Sequence, residues 1–148
     1  MRGPYRKRMI LQPPQFKNFK PGGIPSRFLK SIILTVDEYE AIRLADHLGL
    51  EHQEAAERMK ISRPTFTRLI EQARQKVATA LVEGMELIIE GGNIYFINTL
   101  SHCKDCGETI PQPFTEEIDQ CPDCGSENVE NLAWQFIGRG RKGYRRGR

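Results

Sequence analysis

The chain has 148 residues, 39% hydrophobic and 28% charged, a balance that suits a folded soluble protein and excludes a disordered or membrane-embedded one. Its net charge of +3 conceals a steep asymmetry: residues 1–30 hold eight Lys and Arg and residues 138–148 six more, while all 19 acidic residues lie between them. Basic ends around an acidic middle point to a polyanion as partner, because free cationic arms gain most from phosphates.

Met9-Ile10-Leu11 is the longest early apolar run, far short of the roughly 7–15 residues of a secretory core. No segment approaches the ~20 apolar residues of a membrane span, so a cytoplasmic, nucleoid-associated location is expected. Within residues 1–30, Pro4, Pro13, Pro14, Pro21 and Pro25 stand beside Gly22-Gly23. The segment reads as an extended arm, unstructured when free. Arg6-Lys7-Arg8 suits insertion into a minor groove.

The first helix is expected to start at Thr35, where Thr35 and Glu38 form a capping box and Asp37 favours the helix dipole. Val36, Tyr39, Ile42, Ala45 and Leu48 recur at helical spacing, and Gly49 ends the run. His47, near its end, reads as a solvated surface residue. A second, short helix is expected from about Gln53 to Met59, with Ala55 and Ala56 small enough for a neighbouring helix to approach closely.

After a turn at Met59-Lys60-Ile61, Ser62 is a strong N-cap and Pro64 sits in the first turn, where a missing N–H costs nothing. Phe66, Leu69, Ile70, Ala73 and Val77 then fall on one face at about 100° per residue. The outer face carries Pro64, Arg68, Glu71 and Gln75, flanked by Thr65, Thr67 and Gln72. Two helices and a tight turn over residues 51–82 have the form of a helix-turn-helix, whose second helix enters the DNA major groove. Arg68 is placed to read a guanine edge, and Arg63 suits a phosphate at the helix start. Thr65, Thr67 and Gln72 complete the expected DNA-binding set.

From Gly84 the pattern turns to short β-prone runs, Glu86–Glu90 and Ile94–Ile97, around Gly91-Gly92-Asn93, and a hairpin is expected there. Cys103-x-x-Cys106 and Cys121-x-x-Cys124 follow, 14 residues apart and each leading into glycine. The two-residue spacer lets both thiolates of a pair reach one ion, so two pairs supply a closed tetrahedral site. Zinc is the expected ion, with His102 a spare candidate ligand and iron, in a rubredoxin-like redox role, the weaker alternative. A closed four-sulfur shell leaves no position for a reacting water, and no nucleophile–base pair or phosphate-cradling loop is visible; no enzyme activity is expected. The terminal GRGRKGYRRGR reads as an arginine-glycine tail able to grip phosphates with little sequence preference.

The motifs LTVDEYEAIRLAD, EAAERM, SRPTF and IEGGN, in this order, resemble uncharacterised protein family 0251, domain of unknown function 134. The resemblance covers about residues 1–95. It implies a DNA-binding protein whose helix-turn-helix is similar to the promoter-reading one of sigma factors; some members also carry C-terminal cysteine pairs. Three positions depart from the pattern: Lys60 replaces a glycine in the turn, Glu51 a serine-type N-cap, and Thr67 a glycine in the reading helix.

The resulting expectation is a mainly α, sigma-factor-like helix-turn-helix domain plus a small β zinc ribbon. Its parts are a basic arm over 1–30, the helical domain over 31–83, a hairpin connector over 84–100, the ribbon over 101–137 and the basic tail over 138–148. The expected function is sequence-preferring binding of double-stranded DNA as a transcriptional regulator, as a possible homodimer. The alternative is an RNA-binding or ribosome-associated protein that uses the ribbon and tail.

Overall fold

The computed structural model describes residues 7–137, so Arg6 of the basic triplet and the tail over 138–148 lie outside the described residues. Eight strands and four helices follow one another along this stretch. They are β1 (Arg8–Ile10), β2 (Asn18–Phe19), β3 (Ser31–Leu34), α1 (Val36–Ile42), α2 (His52–Met59), α3 (Arg63–Glu83), β4 (Glu86–Ile89), β5 (Ile94–Phe96), β6 (Asn98–Cys103), β7 (Thr109–Pro113), β8 (Val129–Asn131) and α4 (Trp134–Ile137).

The three long helical segments form where the capping and periodicity place them. Thr35 caps α1 with both halves of a capping box, and α1 continues as a π-helical turn over Arg43–His47 before Gly49 turns the chain at φ 76°. Ser62 accepts from the backbone N–H of Thr65 at the start of α3. Glu51, by contrast, caps α2 without any side-chain hydrogen bond. Phe66, Leu69, Ile70 and Ala73 bury one face of α3 against α1 and α2, as their spacing requires, and Val77 is partly buried beyond them.

The sheets are where expectation and structure part. The chain is not mainly helical, and the hairpin over 84–100 does not form. Instead β4 is the middle strand of a three-stranded sheet, antiparallel to β2 and parallel to β3, while β5 pairs in parallel with β1. All three long helices lie between β3 and β4 in sequence, and a parallel pair needs such a long crossover. Both edges of β4 are thus filled, and β5 must find another partner.

Gly91 and Gly92 serve this route. Their φ values are 78° and 104°, the Gly91 carbonyl accepts from the Val36 backbone N–H at 3.0 Å, and a Cβ on Gly92 would stand 2.7 Å from Asp37 Oδ1. The glycine pair brings the backbone hard against the start of α1; it does not close a two-strand turn.

Nor is the N-terminal segment a free arm from Arg8 onward. β1 and β2 belong to sheets, Ile10 is fully buried, and Pro13 and Pro14 are buried with it. Two carboxylates of α1 fasten this segment. Asp37 forms an ion pair with Arg8, and Glu40, fully buried, accepts from the Leu11 backbone N–H at 2.9 Å while it holds Arg43 at 2.9 and 3.0 Å. The prolines broke the helical pattern as expected, but Met9-Ile10-Leu11 beside them carried enough apolar surface to order the chain.

Residues after β5 form a second sheet module, β7-β6-β8, antiparallel throughout. The turn before α4 and α4 itself place Ala133 and Phe136 in the same core as α1–α3, and Phe96, Phe114 and Trp134 form a row of rings 6.2 and 5.3 Å apart. No described helix is long and apolar enough to cross a membrane.

Candidate metal centre and helical reading surface

The two cysteine pairs build two nearly identical loops. In the first, the Cys103 N–H donates to the Glu108 carbonyl and the Gly107 N–H to the Cys103 carbonyl, both at 2.9 Å. In the second, the Cys121 N–H donates to the Ser126 carbonyl and the Gly125 N–H to the Cys121 carbonyl, both at 2.8 Å. Gly107 and Gly125 take φ 84° and 79°, a left-handed turn that explains why each motif leads into glycine. Backbone N–H groups also approach the sulfurs, Cys106 to Cys103 Sγ at 3.5 Å and Asp123 to Cys121 Sγ at 3.4 Å.

All four Sγ atoms lie within 4.8 Å of one another, with Cys103 to Cys124 at 3.6 Å and Cys106 to Cys121 at 3.7 Å. A metal–sulfur bond of ~2.3 Å places the sulfurs of a regular tetrahedron ~3.8 Å apart. The spacing fits a four-coordinate ion and is far too long for disulfides, whose sulfurs sit ~2.05 Å apart. Cys103, Cys106, Cys121 and Cys124 can therefore hold a metal ion, and His102 is not part of the group. As free thiols they differ sharply. The Cys106 backbone N–H helps draw the Cys103 thiol down to about 7. At Cys106 the Glu108 backbone N–H acts to lower the thiol, yet burial and the Cys121 and Cys103 sulfurs push it up to about 12.

The surface of this module is strongly acidic. Between Asn98 and Ile137, Lys104 stands alone against Asp105, Glu108, Glu116, Glu117, Asp119, Asp123, Glu127 and Glu130. A dication inside four thiolates adds further negative charge. Such a surface repels phosphates.

The start of α3 is different. Lys60, Arg63 and Arg68 are exposed, none forms an ion pair among the described residues, and the first turn of α3 contains no acidic residue. Gln72 is also exposed, one turn beyond Arg68. Thr65 and Thr67 are half-buried and engaged: Ser62 Oγ donates to Thr65 Oγ1 at 2.8 Å, and Thr67 Oγ1 lies 3.0 Å from His52 Nδ1. The His52 ring also packs edge-on against Phe66 at 5.3 Å. His52 thus fixes the first turn of α2 against the first turn of α3, a role no short-range pattern in the sequence discloses. Lys60 takes φ 61° and ψ 41°, the left-handed conformation that a glycine would adopt without strain. Farther along α3, Arg74 pairs with Asp46 and Lys76 with Glu38, so these cations are already committed.

A family model described as "Protein of unknown function DUF134" matches residues 1–97, the stretch from the first residue through β5. The chain belongs to that family. Its relatives carry the name UPF0251 protein. One from Chloroherpeton thalassium is 54% identical over 98% of this chain and 97% of its own length, which takes in the cysteine module. Another, from Methanothermobacter thermautotrophicus, is 41% identical over 97% of this chain and 75% of its own. A third, from Thermoanaerobacter pseudethanolicus, is 54% identical over 61% of this chain and 76% of its own. No solved structure matches the chain.

Proposed function

We propose that this member of family 0251 is a sequence-preferring double-stranded DNA-binding protein, a transcriptional regulator in which α2, the turn at Lys60 and α3 act as a helix-turn-helix. The observation that carries this reading is the exposed cationic end of α3, where Lys60, Arg63 and Arg68 face solvent without ion pairs among the described residues. Arg68 reads a guanine edge, Arg63 holds a phosphate at the positive helix end, and Gln72 reaches a neighbouring base. Thr65 and Thr67, steadied by Ser62 and His52, present hydroxyls beside them. The four cysteines hold one structural zinc ion, which fastens the second module without chemistry of its own. The acidic surface of that module speaks against the ribbon as an RNA-binding face; the basic tail, the other half of the RNA-binding alternative, is decided by the competition that follows.

Selection from a random duplex pool enriches a defined sequence on this reading, and single-stranded RNA at matched salt does not displace it. Arg68→Ala relaxes preference at one base pair by ~1–3 kcal/mol. Uniform weakening on every sequence would instead make Arg68 a phosphate contact. A pool that enriches nothing, with RNA competing equally, removes the proposal. Purified protein is colourless with about one zinc per chain; a coloured iron protein would sink the zinc assignment.

A further inference from the structure

One face of the sheet β7-β6-β8 holds more hydrogen-bonding capacity than it spends. Thr99 and Ser101 of β6 stand there, Thr99 opposite Gln112 of β7 and Ser101 opposite Asn131 of β8. Asn131 Oδ1 accepts from the Ala133 backbone N–H at 3.0 Å and from the Thr99 hydroxyl. A backbone N–H can only donate, so the Asn131 oxygen is fixed, and its buried Nδ2 has no acceptor among the described residues. Gln112 Nε2 donates to the Glu116 carbonyl at 2.6 Å, which leaves its buried Oε1 without a donor. Ser101 is 2% exposed, and its hydroxyl makes no hydrogen bond among the described residues. Buried polar groups are normally paired, so unspent capacity gathered in one place points to a ligand.

Ser101 and Asn131 open on a cavity of about 330 Å³, which Trp134 also lines and Glu117, Asp119, Glu127 and Glu130 surround. Glu130 has Lys104 at 3.7 Å, while the other three carboxylates are exposed and form no ion pair among the described residues. A bare metal ion does not explain them, because among the described residues only the four cysteines converge closely enough to hold one. Phosphates are excluded by the sign of the charge.

We propose that this cavity binds a guanidinium, the side chain of an arginine in a basic peptide segment. The carboxylates supply the opposite charge, Ser101 Oγ accepts an N–H, and the indole of Trp134 favours a planar cation over a compact ammonium. The Asn131 amide supplies a donor for a carbonyl of the same peptide. The volume lies at the lower end of the ~300–1,000 Å³ of ligand cavities and suits a single side chain. Two sources share this chemistry. Residues 138–148 of the chain itself hold five arginines and follow directly on α4, and a separate basic protein is the other. No residue of α3 lines the cavity, so loss of the DNA-binding reading leaves the proposal standing, and the reverse also holds.

Trp134 is the chain's sole tryptophan, so its fluorescence reports on the cavity directly. The probe is the hexapeptide GRGRKG, the sequence of residues 138–143, which carries no aromatic group. It is titrated into the metal-loaded full chain at low ionic strength, where screening is weak. Two forms are compared: wild type, and a variant in which Arg139, Arg141, Arg145, Arg146 and Arg148 are replaced by glutamine. The expected result is a saturable change of Trp134 emission in the variant. A peptide with citrulline or lysine in place of both arginines binds at least tenfold more weakly. Glu117→Gln with Glu127→Gln, added to that variant, also weakens binding at least tenfold at an unchanged thermal midpoint, both side chains being exposed. If the wild type binds the peptide tenfold more weakly than the variant, the chain's own residues 138–148 occupy the cavity; equal binding assigns it to a separate protein. No saturable change in the variant overturns the proposal. So does a citrulline or lysine peptide that binds as tightly, or binding that the double glutamate variant does not weaken.

Discussion

From Thr35 to Glu83 the chain is held by side chains that meet across helices: eleven of its apolar residues are buried, and Asp37, Glu38 and Glu40 are buried among them with cationic or backbone partners. From Asn98 to Asn131 the only buried apolar side chain besides Cys103 and Cys121 is Leu100. One half keeps its shape by excluding water, the other by converging four sulfurs. The contrast teaches where each half is vulnerable. A packed core loses stability in increments as single groups are removed, whereas a chelate is present or absent.

The largest expected effect follows from that difference. On the proposed zinc reading, removing the ion with a chelator, or Cys103→Ser, withdraws folding energy on the order of 10 kcal/mol from residues 98–131. Amide exchange then rises across β6, β7 and β8 while α1 and α3 stay protected. Protection lost equally in α3 would mean that Ala133 and Phe136 couple the halves into one unit, and the contrast would break.

Within the helical half, Glu40→Ala is expected to be the most damaging single change. It strands Arg43, whose pKa is raised by its hydrogen bond to Glu40, and leaves the Leu11 N–H without its acceptor. Breaking a buried pair of this kind costs about 3–5 kcal/mol, measurable by denaturant unfolding. A loss under ~1 kcal/mol would show that β1 is not fastened through α1.

Lys60→Gly should act in the opposite direction. A non-glycine residue at φ 61° carries a penalty of ~1–2 kcal/mol, partly offset by glycine's greater freedom when unfolded. A net stabilisation of up to ~1 kcal/mol is expected, and a destabilisation would show that the Lys60 side chain contributes contacts of its own.

The smallest effect concerns Asp46, held below its usual carboxylate range first of all by the hydrogen bond from Arg74. A depressed folded-state pKa gives stability that is present above the unfolded pKa and lost as pH falls through the folded one. Both partners are 40% or more exposed, so screening limits the pair to ~0.2–1 kcal/mol. Asp46→Asn should lower stability by that amount near neutral pH, and the difference from wild type should fade below about pH 4. A difference that persists in acid would assign the effect to packing.

How much of this was legible beforehand differs between the same two regions. Thr35, Ser62 and the apolar face of α3 act within a few residues of themselves, so caps and periodicity disclosed all three long helical segments. The cysteine site was legible for the same reason, since two short loops set the geometry of each sulfur pair and only their meeting was left to the fold. The partners of β4 and β5 were not legible. A β-prone run carries no mark of which strand will lie beside it, and the adjacent Gly91-Gly92 favoured the wrong neighbour.

Sequence by itself therefore determined the three long helical segments, the four clustered cysteines, the family and the cationic start of α3, because each rests on neighbours along the chain. Tertiary structure alone decided that Arg8–Ile10 and Asn18–Phe19 are strands that tie down the expected arm, that Gly92 approaches Asp37 closely and that His52 steadies Thr67. Those outcomes join residues far apart along the chain, from His52 and Thr67, 15 positions apart, to Arg8 and Ile94 in paired strands. The physical reason is that burial and pairing are settled by competition among distant partners, of which a local pattern states only one side.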